Sequence, residues 1–165
     1  KLEVQLLQLG RGHTKGDTVA WLPQQKILFS GDLVEYGATA YAGDAYFRDW
    51  PATLDRVEAL GATAIVPGRG AALTNAAMCR EGIATTRAFI REVLECVERG
   101  VAQGHDLKRV FTDTDAALRP KYGSQVIYEH CMPFDVSRAF DEATGHVDPR
   151  IWTAERDKDM WAALA

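Results

Sequence analysis

The sequence predicts an α/β chain, strand-rich over its first 73 residues and helical over the rest. Two observations carry this reading. Short apolar runs bounded by glycine and proline recur at residues 4–9, 17–22, 26–30 and 62–66, as strands with tight connections do. From residue 75 onward the apolar positions follow a helical period instead, with Ile83, Phe89, Ile90, Val93, Leu94 and Val97 on one side.

Taken in order, residues 4–9 form a strand that ends at Gly10. Residues 17–22 form a second, stopped by Pro23, and 26–30 a third, stopped by Gly31. Their short connections favour antiparallel pairing. Residues 33–48 are rich in glycine and aromatics without a clean period. They read as a long loop, functional or mobile. Asp49 is placed as an N-cap, with Trp50 and Pro51 opening a helix through Leu60. Residues 62–66 give a fourth strand, and Pro67-Gly68-Arg69-Gly70 a tight turn. Helices are expected over 75–103, 106–118, 124–143 and 153–164. Gly82 and Gly100 are placed to bend or shorten the first of these, and Pro133 to break or kink the third. The chain divides near Leu73 into a sheet portion, 1–73, and a helical extension packing on it, 74–165.

Composition narrows the function classes. The 165 residues suffice for one domain with a real core. A net charge of −4 argues against a nucleic-acid footprint and a polybasic membrane patch. No apolar run approaches the ~20 residues of a membrane span. Cys79, Cys96 and Cys131 are odd in number and widely spaced, which suggests neither a disulfide framework nor a cysteine zinc site. A reducing cytoplasm is the expectation. The chain opens on Lys1 within an apolar alternation, as a piece cut or trimmed from a larger protein would.

The stretch "GHTKGDTVAWLPQQKILFSGD", followed by helix, strand and "VPGRG", resembles the C-terminal half of a metallo-β-lactamase superfamily domain. The resemblance covers about Leu6 to Gly70. It implies half of an αββα sandwich, here followed by a helical extension. It also implies a parent protein that is a metal-dependent hydrolase. In that family a metal-bound hydroxide attacks a small carbonyl substrate of thioester, lactone or β-lactam type. By this resemblance His13 matches a histidine ligand and Asp32 the aspartate that bridges two metals. The cofactor would be zinc, one or two ions, with iron or manganese as alternatives, since imidazole and carboxylate donors suit all three.

Two departures qualify the resemblance. The family's His-x-His-x-Asp-His motif is absent: the histidines are His13, His105, His130 and His146. A catalytic zinc usually keeps three protein ligands, so this chain alone is expected to be inactive. Its expected partner is the missing N-terminal half or a second copy. The alternative is a non-catalytic binding or assembly module with a degenerate metal site. In addition, Arg69 stands where the family has its last histidine, and arginine does not ligate metals.

Several residues keep two readings. Thr14 and Asp17 either support His13 from behind or make ordinary turn hydrogen bonds. Arg69 is a solvated loop residue, a fixed cation beside Asp32, or a clamp for a substrate carboxylate or phosphate. His130, in "YEHCMPFD", returns to the site as a further ligand or packs as a lone helix histidine. Tyr36, Tyr41, Tyr46, Phe47 and Trp50 wall a pocket or anchor their loop.

Overall fold

The computed structural model describes residues 1–165. Four strands, β1 (Gln5–Leu7), β2 (Val19–Leu22), β3 (Ile27–Gly31) and β4 (Ala64–Pro67), form one sheet in the order β1-β2-β3-β4. The first three pair antiparallel through short turns, and β4 joins β3 in parallel. A parallel step needs a crossover, which the 33–48 loop and helix α1 (Trp50–Ala59) supply. The remainder is α2 (Ala76–Ala102), α3 (Leu107–Tyr122), α4 (Tyr128–Ala143) and α5 (Ala154–Leu164). None of these helices is long and apolar enough to cross a membrane.

The sheet has two unlike faces. Val19, Trp21, Leu28 and Ile65 point inward and join one cluster with Trp50 and Leu54 of α1, Ile83 and Ile90 of α2 and Met132 of α4. The core thus runs unbroken from the sheet into the helical portion. The opposite face is open. Strand register sets Leu6, Ala20, Phe29 and Val66 side by side across all four strands. Leu6 is 74% exposed, Phe29 45% and Val66 39%. One sheet with a helical layer on one side only is half of a four-layer sandwich.

Several local expectations are corrected. Asp49 does not cap α1; its carboxylate instead takes the Arg11 guanidinium. Asn75, Asp106 and Thr153 do cap their helices, each accepting a backbone N–H three residues on. Gly82 and Gly100 do not interrupt α2; a Cβ there would press on Leu73 and Val110, so they mark close packing. Helix α4 starts at Tyr128, later than residue 124, because Val126 bridges to Ala38 and Ile127 turns left-handed at φ 61. Pro133 lies inside α4 without ending it. The carbonyl it leaves unbonded belongs to Glu129, in the exposed first turn where water is at hand.

The 33–48 loop, read from the sequence as functional or mobile, is largely buried. Buried backbone must find partners, and α4 provides them. Asp135 accepts the Ala42 N–H at 2.6 Å, and Glu142 accepts those of Phe47 and Arg48 at 3.0 Å. Arg138 donates to the Ala45 carbonyl at 2.7 Å. Small residues at 40, 42, 43 and 45 let this loop lie against the helix.

Candidate metal centre

His13 follows β1 in a turn that the sequence builds tightly. The Asp17 carboxylate accepts the Thr14 N–H at 3.0 Å and the Thr14 hydroxyl at 2.7 Å, closing the turn on itself. Asp17 Oδ1 also lies 3.7 Å from His13 Nδ1, near but beyond hydrogen-bond length. Tyr41 and Trp50 stand edge-on to the imidazole at 6.3 and 6.2 Å between ring centroids. Trp50 is fixed in turn by its indole N–H donating to the Leu33 carbonyl at 3.2 Å. Of the aromatic group singled out by the sequence, these two flank His13, while Phe47 is core and Tyr46 bonds Asp148.

Asp32 sits just past the end of β3. Its Oδ2 is 3.5 Å from His13 Nε2. Two donors at bonds of ~2.0–2.2 Å on a tetrahedral ion are themselves ~3.3–3.6 Å apart, so this spacing is that of two corners of a zinc tetrahedron. The imidazole and carboxylate pair also suits such an ion chemically. Two corners are what the chain gathers: no three His, Cys, Asp or Glu side chains converge into a set able to hold a metal ion. His130 is exposed on α4 against Phe134, at 5.6 Å between centroids, and is not brought to His13 and Asp32.

The turn after β4 closes the site from the other side. The Gly68 N–H donates to the Val34 carbonyl at 3.1 Å, and the Tyr36 N–H to the Arg69 carbonyl at 3.2 Å. Any side chain at Gly68 would strike Asp32, its Cβ falling 2.0 Å from Oδ1. Gly70 has φ +94, and a Cβ there would lie 1.7 Å from the Tyr36 carbonyl oxygen. These glycines press the turn onto residues 32–36 and aim Arg69 inward. Arg69 Nη1 reaches Asp32 Oδ2 at 3.5 Å and Glu35 Oε1 at 2.7 Å.

Glu35 is the residue that sequence reasoning missed. It is 3% exposed, and its Oε2 has no hydrogen-bond partner. Burial pushes its carboxyl up to about 7; the Arg69 charge pulls the other way and the Asp32 charge adds to the rise. Its only sequence signal is a charge set within the apolar run Leu33-Val34. Burial likewise pushes the Cys131 thiol up to about 12, which leaves it an unreactive core residue.

Residues 3–69 match the family described as Metallo-beta-lactamase superfamily. Metallo-beta-lactamase type 2 of Bacteroides fragilis is 38% identical over 74 residues, which is 42% of this chain and 30% of that protein. The Bacillus cereus protein of the same description is 35% identical over 74 residues, 42% of this chain and 29% of that one. Among solved structures, a metallo-beta-lactamase from Pontibacter korlensis is 27% identical and covers 55% of this chain and 42% of its own, with a TM-score of 0.48. The chain thus spans less than a third of the length of these curated relatives. The stretch from Glu3 to Arg69 is thus similar to a portion of a metallo-β-lactamase superfamily domain.

Proposed function

We propose that this chain supplies one half of a metal-dependent hydrolase centre, acting on a small carbonyl substrate of the thioester, lactone or β-lactam kind. The observation that carries the reading is the convergence of His13 Nε2 and Asp32 Oδ2 at 3.5 Å, at loops following two strands of a rigid sheet. His13 and Asp32 would hold the ion, zinc being the first choice for this donor pair and iron or manganese the alternatives. A bound divalent cation supplies Lewis acidity and a nucleophile drawn from water at neutral pH. Thr14 and Asp17 fix the loop that presents the imidazole. Arg69 uses only Nη1 within the chain, so its other N–H groups are free to bind a substrate carboxylate in fork geometry. Tyr41 and Trp50 shield His13 from bulk water.

The remaining donors would come from the layer that covers the open sheet face. The row Leu6, Ala20, Phe29 and Val66 is the kind of surface that another sheet covers, whether from the rest of the domain or from a second copy. Light scattering on the purified chain reads this directly. Association, or binding of a hydrophobic dye, is expected; a dye-silent monomer would show that the face needs no cover.

Elemental analysis of the assembled protein tests the centre. Stoichiometric zinc, iron or manganese that disappears with His13→Ala is expected. No metal under any loading condition would favour the competing reading, a binding or assembly module on the same fold.

A further inference from the structure

We infer that the Arg69–Glu35 pair closes the position of a second cation, so that this centre accepts a single ion. The inference rests on the metal-centre reading above and deepens it. A carboxylate that bridges two ions offers one oxygen to each. Asp32 offers its two oxygens unequally. Its Oδ1 is turned against the Pro67-Gly68-Arg69-Gly70 turn, close enough that a Cβ on Gly68 would overlap it at 2.0 Å. Oδ2 is shared between His13 Nε2 and Arg69 Nη1, each at 3.5 Å.

Arg69 is not a loose side chain that an incoming ion would push aside. Glu35 Oε1 holds Nη1 at 2.7 Å from within the core. Leaving would strand a buried carboxylate whose other oxygen already lacks a partner. The turn backbone adds to this hold, since the Arg69 carbonyl accepts from Tyr36 and Gly70 packs onto the Tyr36 carbonyl. A fixed guanidinium therefore occupies the space beside Asp32 Oδ2 that a second cation would need. A second divalent ion there would meet a like charge at contact distance.

Equilibrium dialysis of the purified chain against Zn²⁺ at pH 7.5, with elemental analysis, tests this in wild type and in Arg69→Met, Arg69→Lys and Arg69→His. Wild type is expected to hold no more than one ion per chain at saturation, and Arg69→Lys, which keeps the charge, to match it. Arg69→Met removes the cation and frees Glu35, so Zn²⁺ should bind on the order of tenfold tighter. Arg69→His, which adds a donor, should take up one ion more than wild type. Two ions bound by wild type, or an Arg69→Met chain that binds no more tightly, would overturn the inference. If Arg69→Met does not fold by circular dichroism, the wild-type count and the Arg69→His count decide. The His13→Ala comparison judges the metal centre itself. The difference between wild type and the Arg69 variants judges this inference, so the two can fail separately.

Discussion

Two arginine–glutamate pairs serve different parts of this molecule. Arg138 on α4 is fully buried and uses all three guanidinium nitrogens. It donates to the Ala45, His146 and Val147 carbonyls at 2.7, 2.8 and 2.6 Å and to Glu142 at 3.1 Å. Glu142 spends its oxygens on that bond and on the N–H groups of Phe47 and Arg48. Every nitrogen and oxygen of the two charged groups has a partner. Arg69 and Glu35 are the same two residue types in a different state. Arg69 makes one hydrogen bond inside the chain and is partly exposed, and Glu35 Oε2 has no partner. Saturated pairs hold structure, whereas a pair with spare donors and an orphaned acceptor keeps capacity for something that arrives later.

The largest effect that would break this comparison is at the saturated pair. Arg138→Met leaves Glu142 charged and buried and three loop carbonyls without donors. A loss of about 3–5 kcal/mol is expected in urea unfolding, enough to unfold many domains. Adding Glu142→Leu should not rescue it, because the Phe47 and Arg48 N–H groups then lose their acceptor. At the site pair the expected loss is smaller. Arg69→Ala strands Glu35, but that carboxyl can take up a proton, its pKa being already about 7. The cost should be about 1–3 kcal/mol, and adding Glu35→Gln should recover most of it. A site-pair double variant no more stable than Arg69→Ala would erase the distinction.

How much of this was legible beforehand differs between the two regions. The order Gly-His-Thr-x-Gly, strand pair, Phe-Ser-Gly-Asp and Pro-Gly-Arg-Gly put His13, Asp32 and Arg69 in the loops after three of the four strands, because such turns have strong local chemistry. The structure has Asp32 within 3.5 Å of both others. Glu35 was not legible, since its role depends on where the Pro67–Gly70 turn folds back, a contact between distant segments. The α4 cluster was hidden for the same reason: Asp135, Arg138 and Glu142 read as a helix's ordinary polar residues until the loop they serve lies against them. His130 misled because it adjoins Cys131 and Asp135 in sequence. On a helix, neighbours along the chain point to different sides, and His130 faces out while Cys131 and Asp135 face in.

Asp135 sharpens the comparison furthest, since it is a buried carboxyl on α4 with no arginine at all. It lies nearly two turns before Glu142 and accepts the Ala42 N–H through Oδ1, while Oδ2 is unpartnered. Burial raises its pKa well above the ordinary value, and the single backbone bond only partly offsets this. The folded chain therefore keeps a proton that the unfolded chain gives up near pH 4. Where the folded state binds more protons, stability falls as pH rises. The fall begins just above the unfolded value and continues until the folded pKa is reached, at up to about 1.4 kcal/mol per pH unit for one proton. Asp135→Asn keeps an acceptor for Ala42 and a donor where the acid carries its proton, so at pH 4 it should unfold at nearly the wild-type urea concentration. From pH 5 to 8 the variant should become progressively the more stable of the two, because only the wild type must hold or lose that proton. Unfolding midpoints that stay parallel across this range would mean that Asp135 is ionised in the fold. It would then be a charge held without a partner, and the rule drawn from Arg138 and Glu142 would not extend along their own helix.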